Sequence, residues 1–346
     1  MTKITTHRRL IYIGFLCLSL TLHNLNALDL QGNCLGLVLK GGANRGSYEA
    51  GVIQVFAENL DPEEVQWDVV SGISVGALNS AHVSSYEKGD EKAMADGLVA
   101  MWRNMSSGNL YQSWRFGIAE GLLFRQGLLD NSPLHEFINQ TFAKRPCCKR
   151  KIHFNSVDAN SGNVISFDET TDPDSLIRGL VATTSVPFVF PALKIEDKIM
   201  IDGGVAWNLD VASAIMKCRE IVDSDAKIVL DIIDVDRFTD RVHRWVRNDT
   251  HSTVQNFMRY LELKRYHKRF NDMIEIEAAH PDVRIRYQII PKVQIDSLYQ
   301  ELSFDKELIE KMIKLGREDA IEAIKNQFVT NISQKKLQLQ QASESI

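Results

Sequence analysis

A serine between two glycines is the first feature of this sequence that could do chemistry. The segment SGISVGALNS, residues 71–80, holds Ser74 in a G-x-S-x-G pentad between Gly72 and Gly76. A β-branched run precedes the pentad and a helix-like pattern follows it, which predicts a tight strand-to-helix turn that projects the serine oxygen. Ser74 is therefore a candidate nucleophile. A serine hydroxyl is inert without a base, and His82, the nearest histidine, is not an obvious partner.

A second glycine turn, KGGANRG at residues 40–46, lies one predicted strand earlier. Successive N–H groups of Gly41, Gly42 and Ala43 at the mouth of a helix would form an anion-binding nest, which suits an oxyanion hole. A phosphate-binding loop in a nucleotide-binding protein is the alternative. It is disfavoured because the turn has no G-K-[ST] ending and because Ala43 replaces the second glycine of G-x-G-x-x-G.

A histidine base would require an α/β-hydrolase arrangement, with the serine followed by an acid and then a histidine. Asp231, Asp234 and His280 stand in that order downstream of Ser74. In that fold, however, several strands and helices separate the oxyanion loop from the nucleophile. Here only 28 residues separate Gly46 from Ser74, enough for one helix and one strand. The base is therefore expected elsewhere.

The segment IDGGVAWN offers a carboxylate as the base. Asp202 ends a predicted strand, and Gly203 and Gly204 behind it allow the backbone to pass close to a site. A carboxylate can accept a serine proton directly when partial burial raises its pKa. Taken alone, Asp-Gly-Gly is more typical of an ordinary turn.

The elements that must position these residues follow a repeated order. CLGLVLKGG and WDVVSGIS predict buried strands, and a helical pattern follows each of them, which is typical of a parallel α/β sheet. Both glycine turns then fall at the carboxyl edge of the sheet. Further patterns predict two hairpins, around residues 160–163 and in LKIEDKIMIDGG, strands in AKIVLDIIDV and VRIRYQIIP, and helices over 251–277 and 305–328.

Together these motifs resemble the patatin-like phospholipase family. They are G-G-x-x-R-G, G-x-S-x-G, a serine followed closely by proline in TTSVPFVFP, and D-G-G with Asn208 soon after, and they cover residues 35–208 in order. The resemblance implies a three-layer α/β fold with a mostly parallel central sheet flanked by helices. It also implies a Ser-Asp dyad, Ser74 with Asp202, that hydrolyses acyl esters of phospholipids or neutral glycerolipids without a metal or other cofactor.

The same resemblance assigns roles to the first glycine turn. Gly41, Gly42 and Ala43 would form the oxyanion hole, Arg45 would steady the loop, and Gly46 would support it. The sequence departs from the family at Ala43, where a third glycine is usual. A catalytically weak or inactive patatin-like module that binds lipid is the alternative function.

Composition and termini predict the setting of the protein. A formal net charge of -5 disfavours nucleic-acid binding through phosphate neutralisation. Residues 1–27 have the form of a signal peptide, with basic residues before an apolar run at 10–22 that is too short to span a bilayer and a cleavage point after Ala27. We predict a secreted or lumenal protein with one hydrolase domain over 35–328 and a disordered tail over 333–346.

The cysteines are compatible with this setting. Cys34, Cys147, Cys148 and Cys218 remain after the signal, and they allow three pairings if all four pair. Buried or free thiols are the alternative. No cysteine or histidine spacing predicts a zinc site.

Two apolar stretches are candidates for transient contact with a membrane surface. The basic and aromatic stretch 243–270 has an apolar helical face, and the stretch 114–129, WRFGIAEGLLFRQGLL, could form an apolar entrance. A helix packed on the sheet with a solvated basic side would show the same pattern over 243–270.

Overall fold

The computed structural model divides the chain into two units, Met1–Gly32 and Asn33–Ile346. Of the first unit only residues 30–32 are described, so the predicted signal peptide lies outside the described residues. The predicted tail 333–346 and most of the stretch 243–270 also lie outside them. The described residues are 30–143, 148–236, 274–293, 302–326 and 330–331, together with 252, 255–256, 259–260, 263–264 and 267.

Short apolar runs form the strands in the middle of the sheet. CLGLVL becomes strand β1, Cys34–Leu39, and VVSG becomes β2, Val69–Gly72, and both are buried along their whole length. Parallel strands covered on both faces have unbroken apolar runs, which explains why these segments show no alternation. The other strands are β3, Lys151–Asp158; β4, Val164–Asp168; β5, Leu193–Ile195; β6, Lys198–Asp202; β7, Ile228–Ile233; β8, Arg284–Ile289; and β9, Thr330–Asn331.

Five strands run parallel through the centre of the sheet, in the spatial order β8, β7, β1, β2, β3. Antiparallel strands extend it: β9 pairs with β8, both β4 and β6 pair with β3, and β5 pairs with β6. Within the described ranges the sheet has nine strands. The predicted mostly parallel central sheet is confirmed.

Strands β2 and β6 share one edge of β3. Ser156 of β3 pairs with Ile165 of β4 and with Asp202 of β6, so β4 and β6 lie on opposite edges. His153 of β3 pairs with Asp168 of β4 and also with Ser71 of β2. Strands β2 and β4 therefore lie on opposite edges of β3. Because β2 runs parallel to β3 and β6 runs antiparallel, the carboxyl ends of β2 and β6 point at each other.

Helices fill the intervals between the strands. They are α1, Gly46–Asn59; α2, Val75–Ser84; α3, Glu91–Asn104; α4, Gly117–Phe124; α5, Ser132–Phe142; α6, Pro173–Thr183; α7, Val211–Cys218; and α8, Lys306–Asn326. None of these described helices is both long enough and apolar enough to cross a bilayer.

The helices cover both faces of the sheet and give the predicted three layers. Phe154 and its cross-strand neighbour Phe167 lie on the face covered by α6, where the ring of Phe167 abuts Gly179. His153, one position earlier on β3, faces Asp210 at the start of α7. Because adjacent strand residues point to opposite faces, α6 and α7 lie on opposite sides of the sheet.

A disulfide joins the sheet to one of these helix layers. Cys34 at the start of β1 bonds to Cys218 at the end of α7, with their Cα atoms 5.6 Å apart. Around the bond, α7 packs on β1 and β7 in a fully apolar core that includes Val38, Ile215 and Leu230. The sequence left the pairing open, and the structure pairs these two cysteines.

Candidate active site

Ser74 lies in the turn between β2 and α2, with φ 54° and ψ -121°. Positive φ is costly for a residue with a side chain, and tight packing of the flanking glycines holds the turn in place. A Cβ added at Gly72 would lie 2.2 Å from the carbonyl oxygen of Gly76, and one added at Gly76 would lie 2.6 Å from that of Leu39. Both predicted supporting positions therefore require glycine.

Asp202 is the last residue of β6, and its side chain is almost fully buried. Its Oδ1 accepts a hydrogen bond of 2.7 Å from the N–H of Gly204, which holds the carboxylate in one orientation. A Cβ at Gly203 would lie 2.3 Å from the carbonyl oxygen of Asn155. The two glycines thus allow the chain to turn immediately behind the acid.

The structure brings the ends of β2 and β6 together at the carboxyl end of α6. The N–H of Ser74 donates to Thr183 Oγ1 at 3.2 Å. The N–H of Asp202 donates to the carbonyl oxygen of Ser185 at 3.0 Å. The TTSVP segment therefore contacts both predicted catalytic residues, which lie 128 residues apart in the sequence.

Asn208 holds the first glycine turn beside Asp202. Its carbonyl oxygen accepts from the N–H of Gly41 at 3.0 Å, and its Nδ2 donates to the carbonyl oxygen of Gly41 at 2.8 Å. A Cβ at Gly41 would lie 2.2 Å from Asn208 Oδ1. The N–H of Gly41 therefore already has a backbone acceptor, so this N–H serves to fix the turn.

The rest of the turn is held from its outer side. The carbonyl oxygen of Gly42 accepts from the backbone N–H of Arg45 at 3.0 Å and from its Nε at 3.2 Å. The guanidinium of Arg45 also pairs with Asp236. Gly46 begins α1 against the indole of Trp102, where a Cβ would lie only 2.4 Å from the ring. These contacts attach the Arg45 side chain to the turn.

A buried carboxyl group underlies the same turn. Glu49 accepts hydrogen bonds of 2.8 Å from the N–H of Lys40 and from Asn79 Nδ2. Complete burial raises the pKa of Glu49 well above its usual value, even though these hydrogen bonds lower it. Asn79 also accepts a 2.8 Å hydrogen bond from Trp102 Nε1, so α1, α2 and α3 are linked by polar contacts beneath the turn.

Ala43 and Ser74 line one apolar pocket. Ala43 has φ 51°, a conformation in which glycine would carry no penalty for a Cβ. The pocket holds about 490 Å³ of empty space, its open mouth included, and none of its lining residues is charged. The remaining lining residues are Val75, Leu78, Trp102, Met105, Leu110, Tyr111, Leu134, Thr184, Val186, Phe190, Leu302 and Phe304.

The residues of the alternative triad do not gather at this pocket. Asp231 is fully buried and pairs with Arg286 at 2.6 Å. Asp234 pairs with Lys40 at 3.2 Å. His280 lies 3.5 Å from Asp225, before β8 begins, at the edge of the sheet opposite Ser74. His82 is buried in α2, where its Nε2 lies 3.0 Å from the carbonyl oxygen of Met94.

Sequence reasoning missed Asp210, which supports the strand beneath the nucleophile turn. Its carbonyl oxygen accepts from Ser71 Oγ at 2.9 Å, and its Oδ1 caps α7 by accepting from the N–H of Ser213 at 3.1 Å. Oδ2 lies 3.2 Å from both Asn155 Nδ2 and His153 Nδ1. Burial raises the pKa of Asp210, but the contacts with His153 and Ser213 outweigh this and lower it. An aspartate three residues before a serine at a helix start was the available signal.

Ser156 is a second residue near the site that sequence reasoning missed, and no sequence motif marks it. It lies directly across from Asp202 in the pairing of β3 with β6, so the two side chains share one face of the sheet at a Cβ separation of about 5 Å. Its side chain is fully buried. Only the strand register, a non-local property, places this hydroxyl beside the acid.

Comparison with known proteins assigns the family. The model of the patatin-like phospholipase family matches residues 37–215, just over half of the chain. The chain belongs to the patatin-like phospholipase family. It is therefore related to a family of lipid hydrolases, and the matched region contains the glycine turn at 40–46, Ser74 and Asp202.

Two further comparisons concern solved structures and curated sequences. The crystal structure of VipD from Legionella pneumophila is similar, with 13% sequence identity and a TM-score of 0.39 over 85% of this chain and 67% of that one. No curated protein sequence gives a significant match. The described residues contain no group of three or more His, Cys, Asp or Glu placed to hold a metal ion.

Proposed function

We propose that this patatin-like protein is a serine lipid acyl hydrolase with a Ser74–Asp202 dyad. The observation that carries the proposal is the convergence of two strand ends. Ser74 in its strained turn and Asp202 at the end of β6 both donate their backbone N–H to the segment 183–185, and Ser74 lines an apolar pocket. No histidine is needed when a fixed carboxylate can accept the serine proton.

The reaction would proceed in two steps. Asp202 takes the proton of Ser74 as Oγ attacks the ester carbonyl carbon, and it then gives that proton to the departing alcohol oxygen as the acyl-serine forms. A water molecule next attacks the acyl carbon while giving a proton to Asp202, and the proton returns to Ser74 Oγ as the fatty acid leaves. Both steps pass through a tetrahedral oxyanion.

The N–H groups of Gly42 and Ala43 are the proposed oxyanion donors. Gly41 was included in this role by the family resemblance, but its N–H donates to Asn208. Ala43 shares the pocket with Ser74, and the N-terminus of α2 adds the positive end of a helix dipole. Loss of one oxyanion donor typically raises a barrier by about 3 kcal/mol, so the turn is expected to matter greatly.

The pocket supports an acyl chain as the group that is bound. An uncharged lining excludes a charged moiety but accepts methylene groups, because burial of each CH₂ contributes about 0.8 kcal/mol. The headgroup would then remain at the open mouth. This arrangement suits phospholipids and neutral glycerolipids, both of which carry ester-linked fatty acids.

A secreted or lumenal location remains part of the proposal. The Cys34–Cys218 disulfide supports an oxidising compartment, and the signal-like residues 1–27 would direct the chain there. Expression of the whole chain with a C-terminal tag should yield a product cleaved after Ala27 in the medium or lumen. A tagged product that keeps residues 1–27 and stays in the cytosol would contradict the location.

Fatty-acid release tests the enzymatic proposal. Vesicles of phosphatidylcholine with dispersed triacylglycerol are incubated with the purified protein, and Ser74→Ala and Asp202→Asn are each expected to reduce release by about 10³-fold. Ser85→Ala, at the other end of α2, and Asp197→Asn, an exposed aspartate beside β6, are the matched controls. Both controls should keep the parent rate.

Covalent labelling separates the possible failures. A fluorophosphonate should label Ser74 in the parent and in Ser85→Ala, but not in Ser74→Ala. Full activity in Asp202→Asn would exclude the dyad while leaving the serine mechanism intact. Vesicle binding with neither release nor labelling would instead identify an inactive lipid-binding module.

A further inference from the structure

Helix α4 carries its apolar side chains on the outside. Ile118, Leu122 and Leu123 are exposed, and Phe116 and Phe124 at its two ends are 75% and 80% exposed. A surface helix of a water-soluble protein normally turns such residues inward. The inward positions of α4 instead hold a glycine and a glutamate, so the helix has the reverse of the usual pattern.

Both carboxylate oxygens of the inward glutamate accept hydrogen bonds. Glu120 accepts a hydrogen bond of 2.9 Å from the N–H of Phe116 and one of 2.8 Å from Arg125 Nε. Gly121 packs so closely on the chain behind it that a Cβ would lie 2.6 Å from the carbonyl oxygen of Leu128. These contacts fix the orientation of α4, so the outward apolar face is built into the fold.

Phe188 extends this exposed surface at an energetic cost. It has φ 73° and is 67% exposed, so a bulky residue occupies the left-handed region without gaining burial. Backbone strain of this kind is tolerated at sites with a function. The carbonyl oxygen of Phe188 accepts from the N–H of Leu128 at 3.0 Å, which joins it to the segment beneath α4.

The surface borders the mouth of the Ser74 pocket. Val186 and Phe190 line that pocket, and Phe188 lies between them in the sequence and points outward. Tyr111, which also lines the pocket, packs on Phe190 at a ring distance of 6.1 Å. We call Phe116, Ile118, Leu122, Leu123, Phe124 and Phe188 the docking face.

The charges around the docking face select its partner. Arg115 and Arg125 flank α4 with exposed side chains. Glu120, the one acidic residue between positions 113 and 129, is buried and pairs with Arg125, so Arg115 leaves this stretch with a net positive charge. An apolar face with a cationic rim matches a phospholipid bilayer, where acyl chains lie beneath phosphate groups. We propose that the docking face inserts into the surface of an anionic phospholipid bilayer and holds the mouth of the Ser74 pocket against it. This inference rests on the proposed lipid hydrolase function.

Vesicle binding tests the proposal without any hydrolysis. Full-length protein carrying Ser74→Ala is mixed with vesicles of about 70% phosphatidylcholine and about 30% phosphatidylglycerol, and co-sedimentation gives the dissociation constant. The added changes Leu122→Ser and Leu123→Ser together should raise this constant by about tenfold or more. Met216→Ser with Ile221→Ser, which removes two exposed apolar residues elsewhere, is the matched control and should change it less than about twofold.

A second pair of measurements separates docking from chemistry. In the protein with Ser74 intact, the Leu122→Ser/Leu123→Ser change should lower fatty-acid release from vesicles about tenfold more than hydrolysis of a soluble short-chain ester. Vesicle binding without hydrolysis of either substrate would overturn the proposed function but support the docking face. Equal vesicle binding by the parent and the variant would overturn the docking face whatever the activity.

The oligomeric state of the protein tests whether a second copy, and not a bilayer, covers the docking face. If the parent is a dimer that Leu122→Ser/Leu123→Ser converts to a monomer, and vesicle binding is unchanged, a second copy covers the face and the proposal is wrong.

The Arg115→Gln variant should lose the preference for anionic over purely zwitterionic vesicles. An unchanged preference would contradict the role of the cationic rim.

Discussion

The backbone of Ser74 shows what the site costs the fold at the level of a single residue. Its φ of 54° with ψ of -121° is a conformation that side chains rarely adopt, and such strain typically costs about 1–3 kcal/mol. The turn persists because Gly72 and Gly76 pack against neighbouring backbone and because Thr183 accepts the N–H of Ser74. In this turn Ser74 is part of the lining of the apolar pocket.

Comparison of two substitutions at Ser74 measures this strain. Glycine adopts positive φ freely, whereas alanine keeps the Cβ and therefore the strain. Glycine also raises the conformational entropy of the unfolded chain, which offsets part of this gain. The free energy of unfolding should therefore be about 1 kcal/mol higher for Ser74→Gly than for Ser74→Ala. Urea unfolding followed by tryptophan fluorescence gives both values.

The control for this comparison is Ser85, at the end of the same helix. Its φ of -78° is ordinary, so Ser85→Gly should be no more stable than Ser85→Ala. If glycine were the more stable residue at both positions, the difference at Ser74 would not come from its backbone conformation.

The pairing of elements shows where prediction from the sequence reached its limit. Strands β1 and β2 and helix α8 lie close to their predicted bounds, and helix α1 follows β1 as predicted, because each depends on a local pattern of apolar residues. The shared edge of β2 and β6 depends on the register of β3, which no local pattern encodes. Motif order predicts Ser74 and Asp202 as partners, but only this register explains why both contact the segment 183–185.

Helix α4 illustrates a second limit. Its apolar composition predicts a helix equally well whether the apolar face packs on the core or meets solvent, since periodicity does not give the direction of the face. Burial of Glu120 and Gly121 settled the direction. The role of Gly41 was missed in the same way, because a motif does not reveal that Asn208 accepts its N–H.

The Cys34–Cys218 disulfide links helix α7 to strand β1 across 184 residues of sequence, and we expect this link to stabilise the fold. Such a long closed loop restricts the unfolded chain, so Cys34→Ala with Cys218→Ala should lower the free energy of unfolding by about 2–4 kcal/mol. Urea unfolding without reductant gives this difference.

The same measurement in reductant provides the control for the disulfide. Once the bond is reduced, the parent and the double variant should differ far less, because only the buried thiols distinguish them. An equal difference with and without reductant would assign the loss to packing around α7 and would contradict a role for the bond.

At the scale of the whole molecule, distant segments of the chain together form the apolar pocket at Ser74. Its lining extends from Ala43 near the first strand to Phe304 just before α8, with Trp102, Leu134 and Phe190 contributed by segments between them. Phe304 stacks on Trp102 at a ring distance of 6.4 Å, so the segment before α8 closes the wall formed by α3. The pocket therefore exists only when distant parts of the chain are packed together, and its shape is a tertiary property.

A change that narrows the pocket should alter which acyl chains are hydrolysed. Leu134 lines it from α5 and is slightly exposed, so an indole at this position can extend into the empty space without entering the apolar core. Leu134→Trp should lower kcat/KM for a palmitoyl ester by about tenfold relative to a butyryl ester, because only the longer chain needs the filled space. Ile221→Trp, at an exposed position outside the pocket, should keep the parent ratio. If both variants retained that ratio and the parental free energy of unfolding, the acyl chain would not occupy this pocket, even if Ser74 remained the nucleophile.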